Sequence, residues 1–278
     1  MDAYWDTVIA PALAAVRPRT IVEIGAEHGH TTRRLLDYCA AHDAALHSID
    51  PRPHFDVAAW EAEADGRLTV HQARSLDALP TLHGYDAVLI DGDHNWYTVL
   101  SELRLIEAAC VPNSAPNSAP DPRPFPLVLL HDVGWPYGRR DLYYDPESIP
   151  AQHRQPFGRL GILPGTANLV PGGFNHGFCN ARAAHTPQNG VLTAVEDFIR
   201  ESPQTLALVQ IPGLHGLGLL FDPALASRHP DFAAQLRLWN LPKAVRRHIM
   251  TIELARIRLL VTAERLRAAA GAREAGGS

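Results

Sequence analysis

Cysteine is scarce: Cys39, Cys110 and Cys179 are too few, too far apart and odd in number for a disulfide framework or a paired-cysteine metal site. No apolar run reaches the roughly 18 residues that cross a bilayer, and the opening Met1-Asp-Ala-Tyr-Trp-Asp6 lacks the basic end and apolar core of a secretory leader. A cytoplasmic, reducing location is therefore expected. A strong charge of one sign is missing too. A net charge of −5 gives no general attraction to nucleic acid or anionic lipid, so neither is expected as a partner and a small molecule is. No G-x-x-x-x-G-K-[ST] loop and no H-E-x-x-H pair occurs, which removes P-loop phosphoryl transfer and zinc-helix hydrolysis.

What is present is a chain of 278 residues that is 46% apolar, enough for a substantial core. It is organised around Thr20-Ile-Val-Glu-Ile-Gly-Ala-Glu-His-Gly-His-Thr-Thr-Arg-Arg-Leu-Leu36, where a short apolar run stops at Gly25 and passes through Gly29 into an amphipathic segment. This reads as strand, tight turn and helix, with Gly25 and Gly29 placed where the backbone turns with positive φ or approaches a ligand closely. The spacing is G-x-x-x-G, not the G-x-G-x-x-G of dinucleotide sites. The carboxylate of Glu23 at the strand mouth would repel a pyrophosphate and suit a ligand carrying an ammonium and a sulfonium, as S-adenosylmethionine does.

Further apolar runs repeat the theme. Residues 4–16 and 31–42 have helical spacing, with Thr31 or Thr32 as the cap of the second. Ala45-Leu-His-Ser-Ile49 ends in Asp50, 21 residues after Gly29, at the distance where an α/β nucleotide fold presents an acid to ribose hydroxyls. The alternative for Asp50 is an acid capping the turn before Pro51. Arg74 and Ser75 stand at the exit of the strand at 67–72, where a solvated surface arginine is one reading of Arg74. The run ending at Ile90 gives way to Asp91-Gly-Asp93-His94, and Leu127-Val-Leu-Leu130 to His131-Asp132. Ligands of open parallel sheets lie beyond the carboxyl ends of the strands, so these groups converge on the crevice of Glu23 and Asp50. Asp91 and Asp132 with His131 or Asp93 make an oxygen-rich site for a hard divalent cation such as Mg2+. Asp93 as a cap for the helix starting near Asn95, and His131 as a backbone hydrogen-bonder, stand as alternatives.

The rest is organisation. Residues 112–126, with a tandem Pro-Asn-Ser-Ala, read as a surface excursion, and 134–189 as an irregular insertion that is either a functional lid or a satellite core. The apolar runs around Pro212-Gly213 look like a closing antiparallel hairpin. The final helix, to residue 270, places Val245, Ile249, Ile252, Leu259, Ala263 and Leu266 on one side, which is expected to pack on its own domain or on a second copy in a homo-oligomer. The expected division is a main domain over 1–230, a helical extension over 231–270 and a disordered tail over 271–278.

Taken together, Glu23-Ile-Gly25-Ala-Glu-His-Gly29, Asp50, Asp91-Gly-Asp93-His94 and His131-Asp132 resemble class I S-adenosylmethionine-dependent methyltransferases, in the group that includes macrolide sugar O-methyltransferases and cephalosporin-hydroxylase-like proteins. Glu27 stands where many members have a glycine. The resemblance implies a Rossmann-like α/β fold: a seven-stranded, mostly parallel sheet with an antiparallel last strand and helices on both faces. It implies methyl transfer to a hydroxyl of a small molecule or sugar. Asp91 and Asp132 would correspond to metal ligands, with His131 where relatives often have a carboxylate, and His94 to the base that takes the hydroxyl proton. Glu23, Gly25, Gly29, Asp50, Arg74, Ser75 and Asp91 would bind S-adenosylmethionine. The rival classes are a non-catalytic nucleotide-binding domain and an NAD-dependent oxidoreductase on a related sheet.

Overall fold

The computed structural model describes the backbone of residues 1–110 and 124–275. The excursion expected at 112–126 lies outside these residues except for its last three, of which Phe125 is buried.

The chain opens with a 3₁₀ turn at Asp2–Tyr4 and a π-helical turn at Trp5–Ile9 that runs into helix α1, Ala10–Val16. Pro11 has no N–H to continue a regular α-ladder, and Ala10 donates five residues back to Trp5. Strand β1 (Thr20–Ile24) and helix α2 (His30–His42) flank the glycine turn, followed by β2 (Ala45–Ile49), α3 (Val57–Glu63), β3 (Leu68–His71) and the short α4 (Ser75–Ala78). Next come β4 (Ala87–Ile90), α5 (Trp96–Ala109) and β5 (Leu127–His131). The insertion carries β6 (Leu142–Tyr143), β7 (Phe157–Gly158) and β8 (Cys179–Ala181). After it come α6 (Val191–Glu201), β9 (Ala207–Ile211), β10 (Leu217–Phe221), α7 (Pro223–Arg228), α8 (Pro230–Trp239) and α9 (Lys243–Ala275).

The main sheet has seven strands in the order β3-β2-β1-β4-β5-β10-β9. The first five strands are parallel, and β10 runs antiparallel to both β5 and β9, as the hairpin pattern predicts. Alternate residues of the central strands feed two cores, because successive side chains leave a strand on opposite faces. Val22, Ile24, Val88, Ile90, Val128 and Leu130 pack with residues of α5 and α6, while Ile21, Leu46, Leu89 and Leu129 pack with Leu13, Leu35 and Phe232. Phe232 places α8 in the main core, so the boundary expected at 231 is no break in packing.

The insertion is a packed layer and not a featureless loop. Its three short strands pair in the order β6-β8-β7, over two small apolar clusters around Tyr137 and Tyr143. This is the satellite core of the two readings. Runs of two or three residues are too short to show a period, which is why the strands are invisible in sequence. Asp141 clamps this layer to the main domain. Its buried carboxylate accepts from the backbone N–H of Trp96 in the first turn of α5 at 2.8 Å, from the N–H of Gly190 at 2.6 Å and from the Tyr143 hydroxyl at 2.7 Å.

The final helix corrects the expected packing face and boundary. It continues to Ala275, past 270, so the start of the expected tail is helical, and the last three residues lie outside the described ones. It buries Glu253, Ile257 and Val261, whereas Ile252, Leu259 and Leu266 are 56%, 71% and 67% exposed. Its docking is largely polar: the Arg258 and Arg265 side chains donate to the carbonyls of Pro164, Pro171 and Gly172 in the insertion, which an apolar-periodicity reading does not register.

Asp141→Ala strands three buried donors, and each such loss costs on the order of 1–3 kcal/mol. The variant is expected to lose roughly 3 kcal/mol in denaturant melts and to be cut faster by protease between residues 145 and 188. An unchanged melt would show that the clamp contributes nothing.

Candidate functional site

The sequence element that shapes the site is the glycine turn. Gly25 takes φ +89°, and a Cβ there would lie 2.4 Å from the carbonyl oxygen of Asp91, so only glycine lets the β1 and β4 ends come together. Glu27, the residue in place of the usual glycine, adopts φ +48° and holds a left-handed conformation at some cost. Gly29 takes φ +77° and ends the turn as the N-cap of α2. No side chain caps this helix, contrary to the expected role of Thr31 or Thr32.

Thr32 is used elsewhere. Its hydroxyl and that of Ser48 both donate to Glu23 Oε2 at 2.7 Å, while the buried Oε1 has no partner among the described residues. Burial pushes the Glu23 carboxyl up to about 7 against these two hydrogen bonds, with the charge of Asp91 adding to the rise. Asp50 lies at the end of β2, but its oxygens are engaged by backbone. Oδ2 accepts from Ala26 and Glu27 at 3.0 and 2.8 Å, and Oδ1 accepts from Arg52 at 2.7 Å. Asp50 thus ties down the glycine turn and caps the turn at Pro51, the second of the two sequence readings. Arg74 is exposed and donates to Asp77 at 3.0 Å, the surface role. Ser75 is buried, and its hydroxyl donates to Glu102.

At the next two strand ends the expected convergence is present. In β4 and β5, Ile90 is in register with Leu130, so Asp91 and His131 follow side by side. His131 Nδ1 is 3.0 Å from Asp91 Oδ1 and 2.9 Å from Asp132 Oδ2, and its Nε2 is 3.1 Å from the carbonyl oxygen of Leu214. Consecutive strand residues normally point to opposite faces. Asp132 escapes this rule with φ +60°, which brings its carboxylate back against the neighbouring imidazole. Ligand atoms of Asp91, His131 and Asp132 all lie within 4.8 Å of one another. The α-ammonium of Met1 lies 2.6 Å from Asp91 Oδ2.

Burial opposes ionisation of both carboxylates, yet the facing histidines outweigh it and hold Asp91 and Asp132 below the usual carboxylate range. Burial likewise works against the His131 cation, and the two carboxylates overcome it, raising the imidazole to about 10. His94, also buried, has Nδ1 3.5 Å from Asp132 Oδ2 and its ring stacked on Tyr137, with Tyr144 tilted against it. Asp93 accepts from the Thr98 hydroxyl at 3.2 Å, and Asn95, not Asp93, caps α5.

Several contributors escape sequence reading. Tyr4 meets the His131 ring edge-on from the N-terminal turn, and Leu214 acts only through its carbonyl. Glu102 is fully buried, with Oε2 lacking a partner among the described residues. The signal for Glu102 was available: it lies three residues after Val99, on the apolar stripe of α5, where an acid is out of place.

The strand order is that of a Rossmann-like seven-stranded sheet with an antiparallel end. Residues 22–115 match the family model described as a methyltransferase domain, and over that stretch the chain is similar to that family. None of the curated protein sequences matches the chain. Among solved structures it is similar to a methyltransferase from Podospora anserina bound to S-adenosylhomocysteine, at 16% identity, with 76% of each chain covered and a TM-score of 0.45. It is also similar to the 1,6-didemethyltoxoflavin-N1-methyltransferase of Burkholderia thailandensis, at 15% identity, covering 79% of this chain and 80% of that one with a TM-score of 0.42. Among the described residues no helix is long and apolar enough to cross a membrane.

Burial lifts the Glu102 carboxyl to about 8 from an ordinary 4.5, against the Ser75 hydrogen bond. Across that window the folded chain keeps a proton that the unfolded chain releases, so stability falls as pH rises. Glu102→Gln is expected to remove this fall and to be more stable than the wild type by roughly 2–4 kcal/mol at pH 8, with little difference at pH 4.5. Denaturant melts at the two pH values check it, and a variant less stable at pH 8 than the parent would contradict the assignment.

Proposed function

We propose that this chain is an S-adenosylmethionine-dependent methyltransferase that methylates a hydroxyl of a small molecule or sugar, with a divalent cation held by Asp91, His131 and Asp132 and with His94 receiving the hydroxyl proton. The observation that carries this reading is the convergence of two carboxylates and an imidazole nitrogen within 4.8 Å at the carboxyl ends of adjacent strands. The donor set suits a hard cation that keeps open positions for substrate oxygen. The contact on the far side of the ring suits it as well: His131 Nε2–H donated to the Leu214 carbonyl leaves Nδ1 as the ligand atom, the usual arrangement of a metal-binding histidine.

S-adenosylmethionine fits the glycine turn. Gly25 admits no side chain, and the unpartnered Glu23 Oε1 offers an acceptor at the turn's edge. Glu23, Gly25, Gly29, Ser75 and Asp91 would hold it, with Asp50 shaping the loop from behind. Bound there, it supplies an electrophilic sulfonium methyl. A neutral alcohol is a poor nucleophile toward such a methyl, and a bound cation lowers the pKa of the hydroxyl it touches.

This chain's residues then divide the work. Asp132 lies on the Nδ1 side of His94 and favours Nδ1–H, which leaves Nε2 as the proton acceptor. Nε2 has no protein partner among the described residues. Tyr137 and Tyr144 pack against the ring and limit water around it. As the hydroxyl oxygen takes the methyl from sulfur, His94 Nε2 would accept the proton that the oxygen gives up.

A second reading is favoured by the bridging position of His131 itself: a protonated imidazole between the two carboxylates would stand where a cation would, and transfer would need no metal. Acceptor screening by mass spectrometry for gain of one methyl, with and without EDTA, separates the two. Transfer is expected to stop on chelation and to return with Mg2+. Asp132→Asn should lower it roughly 100-fold or more while calorimetry shows S-adenosylhomocysteine binding within a few-fold of wild type. Chelator-insensitive transfer would overturn the metal assignment.

The exposed residues Val245, Ile252, Leu259 and Leu266 recur every seven positions on α9, a spacing that presents one continuous seam to a second helix. This supports a homo-oligomer through α9. Light scattering of the full chain is expected to give a dimer mass for the wild type and a monomer mass for Leu259→Lys, and a monomeric wild type would overturn it.

A further inference from the structure

A cavity of about 560 Å3 opens directly after the metal-ligand pair, walled by Val133–Pro136, by the insertion and by Leu254 of α9. Its size is that of a site for a small organic molecule. Its charge is one-sided: Arg139, Arg140, Arg182 and His185 line it, and no Asp or Glu does among the described residues. That is unexpected in a chain with 30 acids against 25 lysines and arginines.

The three arginines differ in what they have left to offer. Arg139 is spent on Glu196, with two parallel hydrogen bonds of 2.7 Å. Arg140 is only 3% exposed, yet its guanidinium meets no carboxylate among the described residues. It donates instead to three backbone carbonyls: Nη1 to Ala181 and to Arg182 at 3.0 Å, and Nη2 to Ala167 at 3.1 Å. Five N–H groups are available on a guanidinium, so Nε–H and one Nη2–H have no protein acceptor among the described residues. Burial disfavours the Arg140 cation, and neutral carbonyls offset that only in part. Arg182 uses Nε on the Phe157 carbonyl at 3.2 Å and is otherwise exposed and without an acid partner among the described residues.

We infer that this cavity binds an organic anion, its carboxylate or phosphate held by Arg140 and Arg182 and its apolar body lying against Trp135 and Ile162. Three carbonyls fix the Arg140 plane before any ligand arrives, so little side-chain entropy remains to be lost on binding. A purely structural staple would need the same carbonyls but not a second unpaired cation, nor a wall free of acids. Asp91, His94, His131 and Asp132 are not among the residues that line the cavity, so the anion site is distinct from the charge cluster at the strand ends.

The test is calorimetry on the full chain without methyl donor, so that it does not depend on any transfer reaction. Three probes are compared: 4-hydroxyphenylacetate, its uncharged amide 4-hydroxyphenylacetamide, and phenyl phosphate. At least one anion is expected to bind tenfold or more tightly than the amide, and whichever binds better identifies the headgroup. Arg182→Gln, an exposed position, should reduce that preference at least threefold with an unchanged melt. Arg140→Gln should abolish it, its fold checked by circular dichroism. Equal binding of amide and anions, no binding of any probe at millimolar concentration, or an Arg182→Gln variant with wild-type preference would each overturn the proposal. Methyl gain on the same compounds is scored separately and bears only on the reaction.

Discussion

Two carboxylates drawn out of water at the ends of neighbouring strands cannot remain ionised without a positive charge between them. That requirement organises the functional end of this molecule. The parallel register of β4 and β5 makes Asp91 and His131 neighbours, and the left-handed backbone at Asp132 turns a second carboxylate onto the same imidazole. His131 supplies the countercharge in the structure, and a divalent ion would supply it more strongly. The same two oxygens, Asp91 Oδ1 and Asp132 Oδ2, face His131 Nδ1 at 3.0 and 2.9 Å, so a proton and the proposed metal would compete for one nitrogen. Affinity for such a metal would then depend on pH without any further device.

The glycine turn has a parallel logic. Gly25 is fixed by the closeness of the Asp91 carbonyl, and Asp50 holds the N–H groups of Ala26 and Glu27. The glycine turn and the charge cluster are thus joined by one contact between the β1 and β4 ends. A shift at Gly25 would move Asp91, and with it the charge cluster. Glu23 lies behind this contact with one oxygen satisfied twice and the other without a partner among the described residues, an arrangement that costs stability.

The sequence was legible where burial imposes a pattern. Each parallel strand is a short apolar run stopped by a charged or turn residue, and the positions Glu23, Asp50, Asp91 and Asp132 fall at strand ends in the order expected. What those side chains touch was not legible, because a carboxylate at a strand end has backbone amides, hydroxyls and histidines within reach and only the tertiary arrangement selects among them. Asp50 went to the turn, Thr32 to Glu23 and Arg74 to Asp77. The insertion was opaque for a different reason. Its cohesion comes from single buried polar groups, Asp141, Asn180 and Asn189, and from arginine-to-carbonyl bonds, none of which leaves a periodic trace.

The long C-terminal helix illustrates how distant sequence supports the site. The hairpin turn before β10 puts Leu214 and His215 at φ +44° and +71°, positions where turns of this kind favour asparagine and glycine. Such a turn is strained for these side chains and needs outside support. Glu253 of α9 provides it by accepting from the His215 N–H at 3.2 Å, and Arg256 fixes that carboxylate through two further bonds. The Leu214 carbonyl is thereby held where it can accept from His131 Nε2. Among the described residues this helix contributes no atom to the charge cluster, yet it helps to set which nitrogen of His131 faces the carboxylates, and hence which one would meet the proposed cation.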